Sequence, residues 1–390
     1  MTTISSDLSQ RIQRVAPSAT IGMSMAARAL SESGIDVISL AAGQPDFAPP
    51  QHILDAVTRA MNAGQTGYTQ VDGTTELREA IRNKFLRDNN LDYSLSEINV
   101  SPGGKAVIAN AFAATLSPGD EAIVPTPAWV SYTEMVKLFD GVPVTVRAGP
   151  DFKISPEQLD AAITPRTRWL LINSPGNPTG AVYSRDELAA LGEVLLRHDH
   201  VMILSDDIYE HICFGVPFAT MADIVPALKS RTLTMNGVSK AYAMTGFRIG
   251  YAGGPEWLIR AMRKVAGQTT SCPASISQAG AVAALNGPQH FLDEWRETYR
   301  IRRDAVLARL NTMSGISADV SDGAFYIFAA VETTDDVSWC ERMLNGAHIA
   351  MVPGSAFHAP VVNGQGFVRL SYADSLDRLK TAMDRLEAAL

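Results

Sequence analysis

Cysteine is scarce in this chain. Cys213, Cys272 and Cys340 are widely spaced and odd in number. They suggest neither a disulfide framework nor a ligand cluster, so they read as reduced structural thiols and no metal centre is expected. No run approaches the ~18 uninterrupted apolar residues of a membrane-span candidate. The first residues, MTTISSDLSQRIQRV, contain no continuous apolar segment. A cytoplasmic location with no membrane partner is the expectation. Blocks of one charge are also missing. The 33 Lys and Arg are interspersed with 41 Asp and Glu, net −8, which argues against a nucleic-acid footprint. There is no convincing tandem repeat and no long low-complexity linker. The glycine-rich segment SPGGKAV fits neither G-x-x-x-x-G-K-[ST] nor G-x-G-x-x-G, the two nucleotide-binding spacings.

What remains is a well-mixed sequence with 46% hydrophobic residues over 390 positions. That is enough for a sizeable core and more than one hydrophobic core usually spans. The first 35 residues read as an arm and a helix. VISLAAGQPDF then reads as a short strand entering a Gly/Pro turn. Two helical patterns follow, QHILDAVTRAMNAG after Pro49 and Pro50, and GTTELREAIRNKFLRDNN with Thr74 or Thr75 as cap. From about residue 98, short apolar strands alternate with helices: INVSPGG, EAIVPTP, PVTVRA, RWLLINSP, VMILSDD, TLTMNG and GFRIGYAGG. This is α/β organisation with a mostly parallel, covered sheet. Near residue 290 the pattern changes. FLDEWRETYRIRRDAVLARLNTM reads as one long helix with room for a single break. It leads to strands in GAFYIFAAV, HIAMVPG and GFVRLSYA and a closing amphipathic helix. The expected organisation is an N-terminal arm with part of a small α+β domain over 1–50, a large domain over 51–290, and the rest of the small domain over 291–390.

Ligands in such sheets bind beyond the carboxyl ends of the strands. Lys240 follows TLTMNG, and Asp206 ends VMILSD beside a second acid, Asp207, so the sequence leaves open which carboxylate points inward. Asn177 follows RWLLIN. Arg248 sits between Gly246 and Gly250, which permit close backbone approach. An amine, a fixed carboxylate, an amide and a cation together meet the needs of pyridoxal phosphate: a lysine that forms a Schiff base and an acid that keeps the pyridine nitrogen protonated. Each residue also has an ordinary alternative. A lysine after a strand is usually solvated, an aspartate at a strand end usually caps a turn, and Asn177 with Pro178 and Gly180 makes a turn by itself. The amides of Gly104 and Lys105 open a helix and can cradle a phosphate. Tyr209 can reach inward from the turn after Asp206. Trp129 can stack on a flat ring or fill the core. Arg369, in a strand-like run, needs a partner, and an amino acid carboxylate is one, with Gly43 supplying a backbone donor.

These segments together resemble the class I and II aminotransferases, fold-type I pyridoxal phosphate enzymes, and within them the bacterial aspartate and aspartate/prephenate aminotransferases. The resemblance rests on AAGQPDF, YTQVDGTTELREAI, the PGG turn, SPGNPTG, SDDIYE, NGVSKAYAMTGFRIGY and FVRLSYA and covers nearly the whole chain. It implies a large domain built on a seven-stranded sheet. It makes Lys240 the Schiff-base lysine and proton shuttle, Asp206 the partner of the pyridine nitrogen, Asn177 and Tyr209 donors to the ring oxygen, and Trp129 the stacking ring. Arg248, Ser239 and the amides of Gly104 and Lys105 take the phosphate, and Tyr68 reaches the phosphate of a partner subunit in a homodimer. Arg369, Gly43 and Asn177 take the α-carboxylate, while Lys105, Ser18 and Thr20 lie at the distal end of the substrate pocket. Gly237 stands where many relatives carry serine, so one phosphate donor is missing. The implied reaction is transamination between aspartate or glutamate and a 2-oxo acid such as 2-oxoglutarate. Prephenate, aromatic or other substrates, a lyase or cyclase reaction on the same cofactor, and a non-enzymatic cofactor-binding regulatory module are the competing readings.

Overall fold

A computed structural model describes residues 7–390. Its strands, in chain order, are β1 (Ile38–Ser39), β2 (Ile98–Ser101), β3 (Glu121–Thr126), β4 (Val142–Arg147), β5 (Thr167–Asn173), β6 (Met202–Asp206), β7 (Thr232–Gly237), β8 (Gly250–Gly253), β9 (Ile316–Ser317), β10 (Tyr326–Glu332), β11 (Ile349–Ala350), β12 (Val352–Pro353) and β13 (Gln365–Ser371).

Seven of them form one sheet in the order β2-β8-β7-β6-β5-β3-β4. All neighbours are parallel except β8, which runs antiparallel to both β2 and β7. The central strands are buried along nearly their whole length, and only β4, at the edge, alternates with exposed positions. That is why the sequence shows continuous apolar runs here: helices cover both faces. The strand period of two sorts the side chains. Trp169, Leu171, Met202 and Leu204 enter one core with Phe112 and Val107. Leu170, Ile172 and Ile203 enter the other, against Leu188, Leu191 and Leu195 of the helix Arg185–Leu196.

The second body is a four-stranded antiparallel sheet, β12-β13-β10-β9, packed with the helix Leu376–Ala389. Near the amino end, β1 pairs in parallel with β11, Ile38 opposite Ile349. Residues from the two ends of the chain therefore share a sheet. Thr74, not Thr75, caps the helix Thr75–Asn89, its hydroxyl accepting from the Leu77 amide at 3.2 Å.

Three elements differ from the sequence reading. The long helix is one unbroken piece, His290–Leu310, because no proline or glycine interrupts it. HIAMVPG is not one strand: the chain turns at Met351, and β11 and β12 join different sheets. The helix Ser275–Asn286 was missed. Its SISQAGAVAALN has little amphipathic contrast because it is buried on several sides against the helices Gln51–Asn62 and Thr75–Asn89.

Candidate active site

The carboxyl ends of β5, β6 and β7 converge on a cavity of about 560 Å³. Its wall includes Thr20, Gly43, Gly104, Lys105, Trp129, Asn177, Asp206, Tyr209, Ser239, Lys240, Arg248 and Arg369, which the sequence had offered from nine separate segments. Another crevice, of about 660 Å³, is larger and lies along Arg147, Phe152, Phe328, His358 and Phe367. Charge, not size, separates the two. Lys105, Lys240, Arg248 and Arg369 all line the first cavity. Asp206 is the one carboxylate there; a fifth cation on the wall, Arg28, pairs with Glu32 at 2.8 Å, and none of the other four has an ion pair among the described residues. Several cations gathered on one cavity wall without counter-ions call for anionic ligands.

Lys240 is partly buried in the cavity wall. Its ammonium donates to the Gly43 carbonyl at 2.5 Å. Burial first, then the nearby Arg369 and Arg248, pull its pKa down to about 8, against an opposing pull from Asp206. Near neutrality the amine is therefore far easier to deprotonate than an ordinary lysine, which titrates at about 10.4. Gly43 was expected to donate its N–H to a ligand. Its carbonyl, a separate group, accepts from Lys240. The position requires glycine, because a Cβ there would fall 2.5 Å from the Tyr326 hydroxyl.

Asp206 faces the cavity, and Asp207 turns away to accept from the Ser205 hydroxyl at 2.7 Å. The two acids part where β6 ends: Asp206, its last residue, lines the cavity and Asp207, just beyond, does not. Asp206 accepts from the Tyr132 hydroxyl at 2.5 Å, and burial pushes its pKa up to about 6. A cation set against it would favour its charged form. Tyr132 was not anticipated. It stands three residues after Trp129 at the start of a helix, with its ring perpendicular to Trp129 at 5.3 Å, and no local signal marks it. Asn173, also missed, ties two strand ends together: its amide donates to the Asp206 carbonyl at 2.9 Å and its oxygen accepts from the Asn177 amide at 2.9 Å.

Arg369 is 1% exposed. It donates to Asn177 Oδ1 at 3.0 Å and to the Ala41 carbonyl at 2.5 Å, lies over the Tyr326 ring at 4.5 Å, and leaves Nε without a partner. Tyr209 shares a hydrogen bond with Tyr326, hydroxyl to hydroxyl, at 2.8 Å. Lys105 sits over the Trp129 ring at 5.0 Å, and burial and then Arg248 lower its pKa.

A phosphate cradle is built where Arg248 meets the turn before the helix Gly104–Thr115. The first amides of a helix have no intrahelical acceptor, so those of Gly104 and Lys105 open toward the cavity end. Gly103, at φ +90°, has no Cβ, and one placed there would meet the Arg248 guanidinium. Gly250 is tighter still: a Cβ would clash with the Gly103 and Gly104 backbone. Two absent side chains thus let a cation, a helix start and β8 crowd against one another, and the group they fit is a phosphate. With Lys240 and Asp206 across the same cavity, the residues fit pyridoxal phosphate. Gly237 is packed against the Ile249 carbonyl, where a Cβ would come to 3.0 Å, and it is not part of the cavity wall. The missing serine therefore removes a donor from a position already closed by backbone.

Two expected residues lie elsewhere. Ser18 caps the helix Ala19–Glu32, and of the small hydroxyls expected at the distal end only Thr20 lines the cavity, with an unpartnered buried Oγ1. Tyr68 is 94% exposed and does not reach the cavity of its own chain. Asp88, Glu210 and His211 lie together behind the Tyr209 turn. The fully buried Lys84 ammonium pairs with Glu210 there, so this cluster already contains its cation.

Comparisons with known proteins agree with this geometry. Residues 35–386 match the family described as aminotransferase class I and II. An aspartate aminotransferase of Rhizobium meliloti (strain 1021) is 49% identical over 97% of this chain and 95% of its own. An aspartate/prephenate aminotransferase of Cereibacter sphaeroides is 49% identical over 98% of each chain. Among solved structures, the Rhizobium meliloti aspartate aminotransferase superposes with a TM-score of 0.94 at 48% identity, covering 99% of both chains. The Thermus thermophilus aspartate aminotransferase, solved with maleate, gives 0.93 at 42% identity over 99% of this chain and 100% of that one. The chain is a member of the class I and II aminotransferases, enzymes of fold type I that act with pyridoxal phosphate.

Proposed function

We propose that the enzyme moves the amino group of aspartate or glutamate to a 2-oxo acid, 2-oxoglutarate first among them, as a homodimer with shared sites. The observation that carries the substrate choice is the row of cations without counter-ions. Arg248 and the first amides of the helix Gly104–Thr115 are assigned to the cofactor phosphate, with Ser239 beside them. Arg369 then remains for an α-carboxylate and Lys105 for a second, distal carboxylate. Thr20, whose buried hydroxyl lacks a partner, lies on the same wall. A dicarboxylic amino acid uses both cations, and a monocarboxylic one leaves Lys105 unspent. The Thermus relative solved with maleate, a dicarboxylate, is in keeping with this division.

Pyridoxal phosphate, when bound, supplies an aldehyde that captures amines and a ring that spreads the negative charge left by a departing α-proton. The residues of the chain do the rest. Asp206, oriented by Tyr132, holds a negative charge for the ring nitrogen. Trp129 offers its face to the ring, and Asn177 and Tyr209 offer donors to the ring oxygen. Arg369 fixes the α-carboxylate, and Gly43 lines the wall beside it. Lys240 is a base of the right strength: with a pKa of about 8 it can accept a proton near neutrality and return it. In the cofactor-free protein the same amine must be neutral to attack the aldehyde. The rate of pyridoxal phosphate capture, followed by the visible absorbance band, should therefore rise with pH through about 8. A midpoint above 10 would contradict the environment assigned to Lys240.

A second reading concerns the acceptor. Ile21, Met25 and Trp129 give the cavity mouth an apolar side, and the Cereibacter relative carries prephenate in its name. Prephenate brings two carboxylates and an apolar ring. Spectral half-reactions with each amino donor, and with 2-oxoglutarate, oxaloacetate, pyruvate and prephenate as acceptors, separate these substrates. Lys105→Ala should lower kcat/KM for aspartate by about a hundredfold, the cost of truncating a charge pair that the bound ligand would close off from water, and change alanine or phenylalanine turnover severalfold at most. Equal losses on all three would remove the distal-carboxylate role. Tyr68 completes the proposal. Extended from its own chain, it is assigned to the phosphate site of the partner subunit.

A further inference from the structure

We propose that residues 272–278 form a clamp that presents Tyr68 to the neighbouring subunit, with Gln278 as its main positioning residue. This inference rests on the reading of Tyr68 given above. A tyrosine that is 94% exposed would ordinarily sit on a loose loop. Here the loop is held at three points by a single short segment. The Ser275 hydroxyl donates to the Gln65 carbonyl at 2.7 Å. The Cys272 thiol accepts the Thr69 amide at 3.3 Å. Gln278, 1% exposed, uses its whole side-chain amide. Its Nε2 donates to Thr69 Oγ1 at 2.9 Å and to the Pro273 carbonyl at 2.9 Å, and its Oε1 accepts the Thr74 amide at 2.8 Å.

These contacts bracket Tyr68 without touching its ring. Gln65 lies three residues before it, Thr69 directly after it, and Thr74 caps the following helix. Gly73, at φ +97°, cannot take a Cβ without striking Val100 at 2.5 Å, so the far end of the loop is also seated against β2. A backbone fixed on both sides of a projecting side chain is preorganised for a second molecule, since little freedom remains to be lost when the contact forms. The amide of Gln278 suits the task because its two donors and one acceptor face three different chain segments, and burial makes each unmade bond costly. Its defect would be felt in the other subunit. Gln278 acts on Tyr68 of its own chain, and Tyr68 serves the partner's cofactor.

Homodimers of Gln278→Ala should bind pyridoxal phosphate about tenfold more weakly, the effect of a few lost neutral hydrogen bonds on the presentation of one donor. Gln278→Glu keeps the acceptor for Thr74 but loses both donors and sets a buried carboxylate against the Pro273 carbonyl, so it should bind no tighter than Gln278→Ala. The deciding measurement uses hybrids. Differently tagged Gln278→Ala and Lys240→Ala subunits are paired, and cofactor affinity is read from the visible band at the one site that retains Lys240. That site receives Tyr68 from the Lys240→Ala subunit, whose clamp is intact. Its affinity should return to within about twofold of the parent dimer, as expected for an undisturbed site. Affinity as weak as in the Gln278→Ala homodimer would overturn the clamp, because Gln278 would then act on its own site. The matching hybrid of Tyr68→Phe with Lys240→Ala is the control for the underlying reading. If affinity is not regained there, the shared site itself is wrong. If it is regained there but not with Gln278→Ala, only the clamp is wrong. Loss of dimers in both Gln278 variants, seen by sedimentation, would also count against the proposal by making Gln278 a packing residue.

Discussion

Lys240→Ala should leave a folded protein whose turnover of any amino donor falls by at least about ten-thousandfold, the upper range for one positioned general base. The loss would combine the two jobs proposed for Lys240, the attachment of the cofactor aldehyde and the movement of the α-proton, so the residual rate should not recover at high pH. The stability effect has the opposite sign. In the cofactor-free protein Lys240 is a partly buried cation beside Arg369 and Arg248. Its removal relieves like-charge repulsion and surrenders one hydrogen bond, to the Gly43 carbonyl. Thermal unfolding of the cofactor-free variant should therefore occur at or above the parent Tm. A marked fall in Tm accompanying the lost turnover would mean that Lys240 holds the cavity together instead of working in it. Borohydride reduction gives an independent check. A reducible lysine adduct in Lys240→Ala would place the reactive amine elsewhere.

The second large effect concerns Arg369. Its guanidinium is buried with two neutral acceptors, Asn177 Oδ1 and the Ala41 carbonyl, and no carboxylate. We assign the missing anion to the ligand. Arg369→Ala should lower kcat/KM for aspartate by about a thousandfold, corresponding to roughly 4 kcal/mol for truncating a buried hydrogen-bonded charge pair. Arg369→Lys should recover only part of this, because an ammonium cannot make the paired planar contact. A simple alkylamine, which has no carboxylate to lose, distinguishes binding from collapse of the site. Its slow reaction with the cofactor should be nearly the same in parent and Arg369→Ala. Equal losses for amine and amino acid would mean that the substitution had damaged the cavity as a whole.

The sequence exposed those parts of the site that are local. Asn177, Asp206 and Lys240 each follow a short apolar run, and parallel strands place the ends of such runs side by side, so order along the chain becomes proximity in space. The glycine turn at 103–104 was readable for the same reason. Residues defined by a distant partner were silent. Tyr132 matters because of Asp206, 74 positions away. Tyr326 matters because of Tyr209. Gln278 sits in a helix whose weak amphipathicity hid the element itself. Ser18 is ambiguous in another way: its hydroxyl is equally suited to a ligand and to a helix cap, and in the structure it caps the helix Ala19–Glu32. The Gly43 carbonyl was likewise beyond reach, since which face of a peptide meets Lys240 depends on how its turn lies against Tyr326.

Gly250 carries a consequence for the order in which the protein can assemble. β2 is made early, yet in its sheet it has one neighbour, β8, and the turn that follows β2 takes its shape from close contact with Gly250. During synthesis the first half of the cradle must therefore wait, unpaired, until the chain has passed residue 253 and β8 has slipped in between β2 and β7. Arg369 arrives later still. Pyridoxal phosphate cannot template the early steps on the ribosome, because the pieces that would hold it do not exist together until β8 has been made.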